Sequence, residues 1–313
     1  MRLRILHHTH CGYASPVVMA QHLAHLRPLE RPGQTLLRHS VRVGPTPAHE
    51  EHSLDAFGND RLFFTLQSPH DHLDVWADSE VLTGMAGAND APPSADDLPW
   101  DAVRDRFAYH AHAPYDAASE YLFASPYVPR HPALAEFARP VFEPGLPWRE
   151  ACTALMQHIH HSMAYETAST AVNTPVLDAL AQRRGVCQDF AHLMIGCLRS
   201  LGLPARYVSG YLLTQPPEGQ ARLVGADASH AWVSAYCPPA DPQGEGQWWD
   251  FCPTNARSGL NSPGEDYVTL AIGRDFGDVS PLRGVIQGGG QHHLRVGVTV
   301  APPDEWPCDP HDR

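Results

Sequence analysis

The chain has 313 residues, 43% of them apolar, enough to bury one large core or two modest ones. Its formal net charge of −13 argues against a nucleic-acid partner. No apolar window approaches the roughly 18 residues of a membrane span, and the basic start Met1-Arg-Leu-Arg lacks the apolar stretch of a secretory leader. A cytoplasmic protein with no membrane partner is therefore expected. The seven cysteines (11, 152, 187, 197, 237, 252 and 308) are odd in number and irregularly spaced, with no C-x-x-C pair. That pattern suits reduced thiols better than a disulfide framework or a zinc site. Most of the 21 histidines are expected to charge as pH falls through about 6.5.

Short alternation predicts strands at Leu3–His8, Leu37–Val43 and Arg61–Leu66, with a turn at Phe57-Gly58-Asn59-Asp60. Residues 1–86 read as an all-β domain. Residues 87–147 are crowded with proline and read as a connector that packs on its neighbours, with short helices at Ser94–Phe107 and Pro132–Phe137. From Trp148 the period turns helical: Trp148, Cys152, Leu155, Met156, Ile159 and Met163 share a face. Thr174-Pro175 opens a short helix that runs to about Gln182.

The next helix is the clearest in the chain. Phe190, Leu193, Met194, Cys197, Leu198 and Leu201 form its stripe, Arg199 suits its C-terminal dipole, and Gly202 with Pro204 ends it. Strands follow at Ala205–Leu213, His230–Tyr236, Gln247–Cys252, Tyr267–Ile272 and Leu294–Val300. Residues 148–300 thus read as one core with C-terminal strands, and 301–313 as a tail.

Cys187 lies where Gly185-Val186 meets the striped helix. The positive end of a helix favours thiolate over thiol, and its free amides suit an oxyanion. His230 opens a strand, with Trp232 two residues on and on the same face. On Gln247–Cys252, alternation puts Trp248, Asp250 and Cys252 on one face. Asp189 suits the first turn of the helix, and Tyr165 reads as packing near the site. The runs His7-His8-Thr9-His10, His158-Ile159-His160-His161 and His292-His293 match no metal motif, so neither metal nor cofactor is expected. Gly288-Gly289-Gly290 lacks the Lys-Ser/Thr of a phosphate loop and reads as a hairpin.

The stretches GVCQDFAHLMIGCLRSLGLPARYVSGYL (185–212), SHAWVSAY (229–236), WWDFCPTN (248–255) and YVTLAIGRDFGDVSPLRGVIQGG (267–289) resemble the transglutaminase-like superfamily. YASPV (13–17), FGND (57–60) and HDHLDVWADSEV (70–81) resemble the N-terminal β domain of its bacterial members. The resemblance spans about residues 3 to 300. It implies an α+β, papain-like core behind an all-β domain, and a Cys-His-Asp triad with Cys187 as nucleophile and His230 as base. It implies acyl transfer from a peptide or protein amide to water or to an amine.

The third triad member departs from the pattern. The family reads W-x-x-F-D-P-T, and here Cys252 stands at the aspartate position, in Phe251-Cys252-Pro253-Thr254. Three outcomes stay open: Asp250 takes over from the same strand face, Cys252 acts as a thiolate, or the site is weakened and the chain is a peptide-binding module.

Overall fold

The computed structural model describes residues 1–84, 98–112, 115–166, 173–214, 229–240 and 244–307. In chain order the elements are β1 (Arg2–Ala24), β2 (Gln34–Gly44), β3 (His49–Leu54), β4 (Asp60–Leu66), β5 (His70–Thr83), α1 (Trp100–Arg106), α2 (Pro132–Ala138) and α3 (Trp148–Ser162). Then come β6 (Ala164–Tyr165), α4 (Val176–Gln182), β7 (Arg184–Gly185), α5 (Cys187–Ser200), β8 (Ala205–Leu212), β9 (Ser229–Cys237) and β10 (Gln247–Cys252). The chain closes with β11 (Arg257–Leu260), β12 (Tyr267–Gly273), α6 (Phe276–Val279), β13 (Leu282–Gly288) and β14 (His292–Ala301). Residues 94–97 of the expected first helix and the end of the tail, with Cys308, lie outside the described residues. No helix among the described residues is long and apolar enough to cross a membrane.

β1 is far longer than the predicted Leu3–His8 and runs through a seven-stranded antiparallel sheet, ordered β2-β5-β1-β4-β3 with β13 and β14 also on β1. Its first half pairs with β5 on one flank and β14 on the other, and its second half with β4 and β13. The changeover lies between Gly12 and Val17, where the register shifts and where Pro16, which has no N–H to donate, sits within the strand. The buried positions of β1 alternate from Leu3 and Ile5 to His7 and Thr9. Polar residues on the inward face hid most of the strand from a search for apolar alternation.

This pairing corrects the expected domain boundary. Residues 282–301 belong to the N-terminal sheet, not to the 148–300 core. A strand's partner is a long-range fact: the antiparallel ladders of β13 and β14 with β1 join residues more than 250 positions apart.

The second sheet is five-stranded and antiparallel, ordered β11-β10-β9-β8-β12. Its inner face packs on α5 and α3, with the proline-rich connector completing the same apolar core through Trp100 and Val103 of α1, Leu134 of α2, and Phe142 beyond it. α5 was expected to be amphipathic, yet every residue from Gln188 to Arg199 is buried. Helices cover its far side; Gly196 lies so close to Leu134 that a Cβ would stand 2.8 Å from the leucine Cδ1.

Arg199 is correspondingly not a solvated cation at a helix end. It is fully buried, and its guanidinium donates to the carbonyls of Ala205, Phe123 and Arg274 and to the Ser125 hydroxyl, joining the helix to two loops and the start of β8.

The two sheets share an apolar layer of Leu3, Ile5, Val81, Tyr211, Val268, Leu270, Val298 and Val300. β12 is the edge strand facing this layer, and two side-chain amides satisfy its backbone. Gln34 accepts from Thr269 N–H at 2.7 Å and donates to its carbonyl at 2.8 Å; Asn59 does the same for Ile272 at 2.8 and 2.7 Å. They stand in for a neighbouring strand and close an edge that would otherwise invite pairing.

Five histidines, four of them buried and His39 half-buried, are held neutral at pH 7. Burial lowers His7, His22, His39 and His230 to about 4 and His192 to about 3. Many of the 21 rings thus escape the titration expected near 6.5. An unfolded histidine takes up a proton near 6.5 and these folded ones do not. Stability is therefore present above about 6.5 and is lost as pH falls toward 4. Scanning fluorimetry should show Tm falling already between pH 6.5 and 5, above the range in which most carboxylates titrate; a flat Tm there would contradict it.

Candidate active site

Cys187 is the first residue of α5, with Val186 in extended conformation as its N-cap. Asp189 accepts the Val186 N–H at 2.8 Å and so fixes the first turn. Gly185 must be glycine, because a Cβ there would stand 2.6 Å from both Cβ and Oδ2 of Asp189. The expected first-turn role of Asp189 is what the structure displays.

Cys187 is half-buried, and its sulfur is faced by the N–H groups of Ala231 on β9 and of Gln188, the next residue of α5. Burial nonetheless pushes the thiol up to about 11, with Cys252 adding in the same direction. A thiolate favoured at rest by the helix end was the expectation. Desolvation outweighs the few donors around the sulfur.

His230 follows Ser229, the first residue of β9, and is buried in an aromatic box. Trp232 stacks beside it with ring centroids 6.2 Å apart, and Tyr267 meets it edge-on at 5.8 Å. Tyr267 also meets Trp232 edge-on at 5.4 Å. Gly210, across the ladder from His230, makes room: a Cβ there would lie 2.4 Å from the Trp232 ring and 2.2 Å from the Val268 carbonyl. Burial lowers the imidazole to about 4, with Asp266 acting weakly the other way. At neutral pH the pair therefore rests as thiol and neutral imidazole.

The strand that was expected to orient His230 does so through a different residue from the carboxylate. His230 Nε2 lies 3.2 Å from Cys252 Sγ. Asp250, on the same face, turns elsewhere: its Oδ2 accepts the Trp232 indole N–H at 3.0 Å and pairs with Arg31 at 3.6 Å. Register explains this. Asp250 stands opposite Ser234, four residues along β9 from the imidazole, whereas Cys252 lies two residues further along β10 toward it. Asp250 thus bears on His230 through the Trp232 ring.

Cys252 is fully buried, and burial raises its thiol. The Tyr267 hydroxyl, the N–H groups of Asn255 and Thr254, and the charge of Arg257 oppose that rise. Asn255 donates to the Tyr267 oxygen at 2.9 Å and steadies it. These donors surround an atom that, as a neutral thiol, makes little use of them.

Cys187 and His230 open into a cleft of about 540 Å³. One wall comes from the core, through Tyr207, Ser209 and Phe276; the other comes from the N-terminal sheet, through His7, Thr9, Tyr13 and His22 on β1 with Leu282, Ile286 and Leu294. Sequence reading treated the β domain as separate and missed this wall. The inward alternation of His7, Thr9 and Cys11 was the available signal.

The Gly273-Arg274-Asp275 turn borders the cleft through the helix it starts. Asp275 caps α6 by accepting the Gly277 N–H at 2.8 Å, and Phe276 N–H donates to His192 Nε2 at 3.2 Å. Tyr165 is more than half exposed; it pairs across from Gly185 in a two-stranded parallel ladder, its ring 6.3 Å from Phe190.

Comparison with known proteins gives the same outline. The transglutaminase-like superfamily matches residues 135–253, and the bacterial transglutaminase-like N-terminal region matches residues 3–82. An uncharacterized protein of Mycobacterium tuberculosis is 34% identical over 304 residues, covering 96% of this chain and 93% of the relative. One from Mycobacterium leprae is 32% identical over 299 residues, covering 96% and 98%. A crystal structure from Cytophaga hutchinsonii, described as a "Putative Cysteine Protease", superposes with a TM-score of 0.68 at 22% identity, over 97% of this chain and 91% of that one. At that identity the likeness concerns the fold.

Proposed function

Since the chain belongs to the transglutaminase-like superfamily and carries its bacterial N-terminal region, we propose that it is a cysteine-dependent acyl-transfer enzyme acting on peptide or glutamine-type amides. The observation that carries this reading is the joint placement of Cys187, at a helix N-terminus, and His230, boxed by aromatic rings, in one cleft.

In this reading His230 Nε2–H donates to Cys252 Sγ, and Nδ1 is the nitrogen that takes the Cys187 proton as the sulfur attacks the amide carbonyl. The first-turn amides of α5 receive the developing oxyanion. The imidazolium then protonates the leaving amine, and water (by default) or a second amine resolves the thioester. Because the pair rests neutral, proton transfer accompanies attack. The imidazolium must be stabilised by a thiol rather than by a carboxylate, which predicts slow turnover.

Trapping the acyl-enzyme tests this. After incubation with glutamine-containing peptides and rapid acid quench, intact-mass analysis should show an acyl adduct on Cys187, lost in Cys187→Ala and discharged by hydroxylamine. Amide turnover that survives undiminished in Cys187→Ala would reject the reading.

Cys252 at the third position favours one alternative: a module that binds peptides in the cleft without turning them over. It predicts peptide binding with no adduct.

A further inference from the structure

We propose that His8, His10 and Asp74 form a site for a divalent transition-metal ion of the zinc class. It lies on the face of the N-terminal sheet turned away from the cleft: His7, Thr9 and Cys11 of β1 line the cleft, and the alternating His8 and His10 face the other way. Asp74 stands directly across the ladder from His10, on β5.

The donor atoms converge. Asp74 Oδ1 lies 2.6 Å from His8 Nε2 and 2.9 Å from His10 Nδ1, and all three atoms fall within 4.8 Å of one another. An ion held at about 2.0–2.2 Å from imidazole nitrogen and carboxylate oxygen needs neighbouring donors roughly 3–3.5 Å apart. The two contacts of Asp74 therefore have to open by less than about 1 Å, while the two ring nitrogens, within 4.8 Å of each other, adjust to the same spacing. There is room to do so, because both rings are more than a third exposed.

Two features hold the donors in place. The His8 ring is stacked on Trp76 with centroids 4.8 Å apart and planes 9° from parallel, and the Asp74 carboxylate is mostly buried. Two imidazoles and one carboxylate on one face, with an open side toward solvent, are a familiar donor set for zinc or iron(II). His72, whose ring lies 6.5 Å from that of His10, borders the open side.

Binding exchanges two N–H···O hydrogen bonds for two nitrogen–metal bonds. Each ring binds through a nitrogen that has lost its proton and keeps a proton on the other nitrogen, the displaced proton moving there or to solvent, so no redox step is needed. The bound ion would tie β1 to β5 in register. Short-motif screening overlooks such a site, because the third ligand arrives across a sheet, 64 residues from His10.

The test uses the full-length, tag-free chain in a Cys187→Ala background, which removes the thiol–imidazole pair as a competing ligand set. Zinc chloride is titrated calorimetrically, with Tm followed alongside. One ion per chain and a rise in Tm are expected. His8→Ala, His10→Ala and Asp74→Asn should each weaken binding by no less than the roughly 10–100-fold that loss of an outer-shell partner costs. The paired change His49→Ala/His52→Ala, in exposed histidines of β3, should leave it intact. Asp74→Asn keeps the side-chain shape, so it decides the matter if either histidine variant misfolds. Absence of binding at 100-fold excess zinc, or equal affinity in Asp74→Asn, overturns the proposal.

Discussion

Replacing Cys252 with aspartate is expected to raise amide turnover by about 10² or more, worth roughly 2.7 kcal/mol of barrier. The upper reach is the ~10⁴ that separates a carboxylate from a neutral amide behind a catalytic histidine. The environment is already suited to an anion: Tyr267, the Thr254 and Asn255 amides and Arg257 all favour negative charge at this atom. The existing 3.2 Å contact shows that the position reaches His230 Nε2.

A second readout needs no substrate. In the wild type, with the thiol at about 11 and the imidazole at about 4, alkylation of Cys187 by iodoacetamide should climb about tenfold per pH unit from 7 to 9, without a plateau. In Cys252→Asp the carboxylate stabilises the imidazolium. A thiolate–imidazolium pair then persists, and a plateau appears in the neutral range. A folded variant unchanged in both turnover and pH profile would leave the binding-module reading ahead.

The other large effect concerns stability. Asp250→Ala leaves Arg31, itself nearly buried, and the Trp232 indole without their shared carboxylate. Removing one partner of a buried pair costs about 3–5 kcal/mol, so Tm should fall by several degrees. Asp250→Asn keeps an acceptor for the indole and loses only the charge, so its fall should be smaller. The kinetics separate positioning from catalysis. If Asp250 acts by holding the Trp232 ring on which His230 rests, Asp250→Asn retains most of its turnover where it is folded. A loss of 10³ or more in a folded Asp250→Asn would place the carboxylate directly on the imidazole's proton.

Much of the core was legible because its signals are local. The stripe from Phe190 to Leu201, the glycine and proline that end it, and the position of Cys187 before its first apolar residue all lie within about twenty residues. The motif WWDFCPTN marked both Asp250 and Cys252, and showed a departure from the family pattern at the residue that meets His230. The choice between the two was not legible. Alternation puts them on one face, but which of them reaches the imidazole depends on the register of β10 against β9, an interstrand fact.

Arg199 misled for the same reason. Near a helix end it reads as a dipole partner, and only the loops folded around it, from as far away as Phe123 and Arg274, make it a buried hub.

By itself, the sequence determined the helix that presents Cys187, the strand that begins beside His230, and the thiol at the third position. Periodicity, caps and neighbouring residues set these within short stretches. Tertiary structure decided the rest: that β13 and β14 complete the N-terminal sheet, that this sheet forms a wall of the cleft, and that burial leaves the Cys187–His230 pair neutral. Desolvation and strand pairing are summed over residues distant in the chain, so neither is written in any local segment of it.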